Sequence, residues 1–161
     1  MNTLDPLLVE GDAALQRGDL LAAERAFGQY AKANPTVPFG QFAMGIVAET
    51  GGNLDLAAAR YRQALTISDS VPEIHFNLGN VERARGNFKE ARTCFENAAR
   101  LRVGFEPPII NLVSMLREQG DLKTALTLAK RGAARAAPES PLRKLVAELE
   151  ALATAPSAPS N

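Results

Sequence analysis

A glycine returns every 34 residues in this chain, at Gly18, Gly52, Gly86 and Gly120, and a fixed period of that kind decides a fold before composition does. The residues after it recur as well: Asp19, Asn53, Asn87 and Asp121, then Leu20, Leu54, Phe88 and Leu122. Ala23, Ala57, Ala91 and Ala125 keep the same spacing, as do Phe27, Tyr61 and Phe95, where the last copy has Ala129. Upstream, Gly11, Gly45 and Gly79 form a further column, with Val113 as the departure.

These columns describe a helix, a tight turn and a second helix in every copy. Glycine ends the first helix because it enters the left-handed conformation without steric cost. The Asp or Asn beside it caps the next helix by accepting from free backbone N–H groups. In the third copy Asn87-Phe88-Lys89-Glu90 approximates a capping box, with Asn in the place of Ser or Thr. Gly11, Gly45, Gly79 and the alanine column mark where two helices approach closely, and the aromatic column fills the space beside them. One copy cannot bury such a face alone, so the copies are expected to stack into a solenoid.

The pattern resembles the tetratricopeptide repeat, a 34-residue helix-turn-helix that carries Leu-Gly, then Ala, an aromatic and a closing Pro. The third copy matches best, with Leu78-Gly79, Gly86, Ala91, Phe95 and Ala98. Pro35 closes the first copy, Asp69 and Val103 stand there in the next two, and the fourth has Ala137 with Pro138 one residue late. The family's early Trp is replaced by Leu7, Gln41, His75 and Ile109. The resemblance implies an all-α, right-handed superhelical solenoid of about nine helices, a single domain over 1–152. Its copies fall at 4–37, 38–71, 72–105 and 106–139, followed by a polar-faced capping helix over 140–152. Residues 153–161, rich in Ala, Pro and Ser, are expected to be disordered.

Composition narrows the function. The 161 residues carry 18 Lys plus Arg against 18 Asp plus Glu, a neutral balance that disfavours nucleic acid as a partner. A single Cys excludes an internal disulfide framework and suits a reducing compartment, so a cytoplasmic location is expected. No apolar run approaches the ~20 residues of a membrane span. The start, MNTLDPLLVEGD, has three acids and no basic stretch, unlike a signal peptide.

Nothing in the chain is arranged for catalysis. Nucleophilic chemistry needs a base near Ser, Cys or Thr, and the only histidine, His75, lies in a helix-packing column. Cys94, next to Phe95, reads as a small inert packing residue. Glu148 and Glu150 are two apart and face away from each other on a helix. No phosphate-binding glycine loop and no His/Cys metal cluster occurs. A non-enzymatic chain without cofactor or metal is expected.

The resemblance implies that first helices line a concave groove for an extended or helical segment of a partner. Carried over position by position, that groove comprises Asp5, Leu8, Val9, Asp12 and Leu15, then Phe39, Phe42, Ala43, Ile46 and Glu49. Glu73, Phe76, Asn77, Asn80 and Arg83 follow from the third copy, and Pro107, Ile110, Asn111, Ser114 and Arg117 from the fourth. Phe39, Phe42, Ile46, Phe76 and Ile110 form an apolar strip, against which stands the simpler reading that some tuck into the core. Asn77, Asn80 and Asn111 suit backbone pairing with a ligand, while Arg83 and Arg117, one repeat apart, suit a carboxylate. The family's chaperone-tail carboxylate clamp is not expected, since Leu8, Asp12, Ala43, Glu73 and Asn77 occupy its places.

Charge is uneven: the first two copies carry eight acids and five bases, the last two eight acids and eleven bases. An apolar-anchored partner with an acidic end, or head-to-tail self-association, would suit that asymmetry. The leading expectation is a protein-interaction adaptor. The alternatives are a self-assembling scaffold, the docking region of a larger enzyme, and a secretion-type chaperone.

Overall fold

The structure, a computed structural model, describes residues 5–154. Among them are nine α-helices and no strand: α1 (Pro6–Gln16), α2 (Leu20–Ala33), α3 (Phe39–Thr50), α4 (Leu54–Ile67), α5 (Pro72–Ala84), α6 (Phe88–Leu101), α7 (Glu106–Glu118), α8 (Leu122–Ala133) and α9 (Pro141–Thr154). This is an all-α helical repeat fold, and α1 to α8 pair off within the four copies. The chain divides into two compact units, 1–94 and 95–161, the division falling within α6.

The turns form as the repeat requires. Gly18, Gly52, Gly86 and Gly120 have φ of 76°, 76°, 80° and 80°, a conformation that strains any residue with a Cβ. The side chains of Asp19, Asn53 and Asp121 accept from the backbone N–H groups of Ala22, Leu56 and Thr124 at 3.0–3.1 Å. At the third turn Asn87 meets a partner that the repeat pattern does not announce. Its backbone N–H donates to the Glu82 carbonyl at 2.8 Å and its amide to the Glu82 carboxylate at 2.6 Å, while Glu90 accepts from Arg62.

In the first unit, Ala14, Ala23, Phe27, Ala43, Met44 and Val47 form one buried cluster, which Leu8 and Leu15 of α1 join. A second cluster joins Tyr61 of α4 to Ile74, Leu78 and Val81 of α5, with Phe42 and Ile46 of α3 packed against it. The first cluster thus joins α1, α2 and α3, and the second α3, α4 and α5. The glycine column makes the approach possible: a Cβ on Gly11 would stand 2.5 Å from the Phe27 ring, and one on Gly45 would collide with Tyr61.

In the second unit, α7 packs on α8, and α9 on both. Val113 and Ala129 are both fully buried there, so the glycine–aromatic pairing of earlier copies is exchanged for a medium residue with a small one. The capping helix runs to Thr154, two residues beyond the expected end, so Ala153 and Thr154 are helical rather than tail. It buries Leu142, Leu145 and Leu149, and Ser140 donates to Glu106 in front of it. The rest of the expected disordered tail, 155–161, lies outside the described residues.

Candidate interaction face

The first-unit part of the expected groove consists of positions on α1, α3 and α5. Helical spacing explains their common face: Phe39, Phe42, Ile46 and Glu49 recur at three- and four-residue steps on α3, as do Glu73, Phe76, Asn77, Asn80 and Arg83 on α5. Phe39 is 38% exposed. Phe42, Ile46, Phe76, Asn77, Asn80 and Arg83 are each partly exposed. Ala43 is the exception: it is buried and contributes to the core, not to the face.

The aromatic residues form a continuous row. Tyr30 meets Phe39 edge-on with centroids 6.2 Å apart, Phe39 meets Phe42 at 6.2 Å, and Phe42 leans on Tyr61 at 5.8 Å. These separations and tilts lie in the favourable range for aromatic pairs. Part of the Phe42 surface packs on the core through Tyr61, and part is exposed. The Tyr61 hydroxyl donates to Glu49 at 2.6 Å. Burial, then the Glu49 carboxylate, pushes the Tyr61 pKa up, and the Asn77 amide pulls the other way. A neutral phenol thus bridges α3 and α5 beneath the face.

The second unit carries its own first-helix positions on α7. Ile110, Asn111 and Ser114 are partly exposed there, and Arg117 is exposed. Arg117 stands 3.7 Å from Glu148 of α9, so the fold already supplies a carboxylate to a guanidinium proposed for a ligand. A concavity of about 460 Å³ also occurs in this unit, lined by Phe95, Ile109, Leu112, Leu128 and Arg131 among others.

The residues set aside from chemistry behave structurally. His75 is buried, its Nε2 2.9 Å from the Asp69 carbonyl. Burial, reinforced by Glu90 and Glu82, pushes the Cys94 thiol up to about 12, which keeps it protonated and unreactive near neutrality. Among the described residues no group of His, Cys, Asp and Glu is placed to hold a metal.

Sequence reasoning missed Glu82. Its side chain is fully buried on α5, with Arg62 of α4 at 2.7 Å, Arg85 at 2.8 Å and Asn87 at 2.6 Å. Arg62 also reaches Glu90 of α6 at 2.8 Å, and Arg85 reaches Asp55 of α4 at 2.7 Å. These carboxylates hold both guanidinium pKa values above the ordinary arginine range. The signal lay in the period: in the other three copies the column of Glu82 holds Ala14, Ala48 and Leu116, all apolar and buried.

Comparison with known proteins follows the same lines. Tetratricopeptide-repeat models match residues 8–72 and 72–102. A Thermobaculum terrenum O-GlcNAc transferase structure is 29% identical with a TM-score of 0.69, covering 80% of this chain but only 25% of its own length. A crystal structure of MamA is 15% identical over 94% of this chain and 86% of its own, with a TM-score of 0.76. The APC/C assembly Cut9-Hcn1 is 16% identical over 89% of this chain and 29% of its own, at 0.73. No curated protein matches the sequence. The two latter likenesses concern the fold alone.

Proposed function

We propose that this chain, which belongs to the tetratricopeptide-repeat family, is a protein-interaction adaptor whose first-helix face holds an extended or helical segment of a partner protein. The observation that carries the reading is the aromatic row through the exposed Phe39 and Phe42, with Ile46 and Phe76 at the neighbouring face positions. A row of that kind on a water-facing surface is stabilised when another apolar surface covers it. Asn77, Asn80 and Arg83 of α5 are the polar groups that would orient the segment, and Ile110, Asn111, Ser114 and Arg117 are the corresponding set on α7. No described helix is long and apolar enough to cross a membrane.

The test is affinity capture with wild type beside a Phe42→Ala, Phe76→Ala variant, followed by reconstitution of any lost protein with the purified chain. Binding by the wild type and loss in a variant of unchanged helicity is expected. Equal binding by both would remove the face from the interaction. A second reading, a docking region within a larger enzyme, draws on the transferase, of whose length this chain spans a quarter.

A further inference from the structure

Position by position, the first-unit face alternates apolar surface with negative charge. Asp5, the N-cap of α1, shares one register with Phe39 of α3 and Glu73 of α5, each 34 residues from the next. In the repeat register the exposed Phe39 thus has a carboxylate one copy before it and another one copy after it. Asp12, Ile46 and Asn80 form the next such register, with one carboxylate and a neutral amide beside the apolar residue. Leu8, Phe42 and Phe76 form the apolar register between these two. Glu49 adds a fourth carboxylate on α3, one oxygen of which accepts from Tyr61. Against these four, Arg83 is the single base at the face positions of the three helices.

We infer that the occupant of this face is a basic, apolar-anchored segment of another protein, whose Phe or Leu side chains cover Phe42, Ile46 and Phe76 while its Lys or Arg side chains lie toward Asp5, Asp12, Glu49 and Glu73. The inference rests on the adaptor reading and adds the partner's sign. An acidic segment would meet four carboxylates here, so the acidic end expected from the charge of the later copies does not suit these three helices. The Debye length rises from ~8 Å at physiological salt to about 30 Å at 0.01 M, so the fields of these carboxylates combine over the face most fully at low salt. An aromatic face between two carboxylate positions attracts a cation on both counts, through the ring quadrupole and through the charges. The apolar stem of a Lys or Arg covers the ring while its head stays wet.

The probes are two fluorescein-labelled peptides with identical Phe and Leu positions, one carrying Lys and the other Glu between them, titrated with the full chain and followed by anisotropy. At low salt the Lys peptide is expected to bind roughly tenfold or more tightly than the Glu peptide, and salt should shrink the difference. Asp5→Asn, Asp12→Asn, Glu73→Gln together should abolish the preference. Asn retains the capping role of Asp5, whose side chain accepts from Leu7 N–H at 2.9 Å. Glu10→Gln with Glu24→Gln, equal in kind but off the face, should leave the preference intact. If the triple variant does not fold, Asp12→Asn alone, at an exposed position, should still weaken the Lys peptide. Equal binding, preference for Glu, or a Lys preference that survives neutralisation of the face would overturn the inference. In those cases the adaptor reading stands if Phe42→Ala, Phe76→Ala loses both peptides. Failure of both peptides on the wild type also overturns the inference, and the adaptor reading is then decided by the reconstitution with its own partner.

Discussion

At the scale of single residues, the fold rests on pairs that change together. Gly11 faces Phe27 and Gly45 faces Tyr61 because the large ring leaves no room for a Cβ opposite. The fourth copy holds Val113 and Ala129 in these two columns, both fully buried. Volume is therefore conserved across the pair and not at either position, as close packing demands. Gly11→Val alone should destabilise the first unit by ~3 kcal/mol or more, since the Phe27 ring cannot retreat from a buried site. Phe27→Ala alone should cost about 3–5 kcal/mol through the cavity it leaves. The double variant should recover a large part of either loss. Urea denaturation of the three proteins checks this, and simple addition of the two single losses would show that the positions are independent. The sequence displayed both departures, but each looked like ordinary degeneracy until the distances paired them.

At the scale of helices, the legible part of the fold was the part written in local chemistry. The turn glycines, the caps at Asp19, Asn53 and Asp121, and the eight repeat helices follow from short-range signals. The contact of Asn87 with Glu82 did not, because the buried carboxylate five residues upstream takes its amide N–H from inside the core. A buried carboxylate serving α4, α5 and α6 depends on where Arg62 and Arg85 arrive, which no local window contains. Likewise the face residues could be placed by register, but the split of Phe42 between core and surface required Tyr61 to be located. The Glu82 cluster makes an asymmetric prediction. Arg62→Ala with Arg85→Ala strands a buried charge and should cost about 3–5 kcal/mol, whereas Glu82→Met removes the charge from the interior and leaves two arginines that reach water. Glu82→Met should therefore be the milder change. Comparing midpoints of urea unfolding decides it, and a larger loss for Glu82→Met would mean that the cluster contributes through the attraction of its charges.

At the scale of the whole molecule, the period outlasts the four copies. Leu142 and Leu149 stand 34 residues after Pro108 and Met115, which are buried on α7, so α9 packs on α8 in the manner of a further first helix. Leu142→Ala with Leu149→Ala should lower the stability of the second unit by ~4 kcal/mol or more and remove about one helix of circular dichroism signal. A variant with unchanged helicity and melting temperature would mean that α9 is not seated by these residues. The exchanged pair of the fourth copy has a consequence for ancestry. If the copies descend from one duplicated unit, surface positions were free to drift singly, but the glycine and the ring were not. Trimming the ring first leaves a hole that a later valine fills; adding the valine first meets a wall. Both mutational histories leading to Val113 and Ala129 run through an intermediate weakened by several kcal/mol, so such a pair can be exchanged only while the rest of the array has stability to spare.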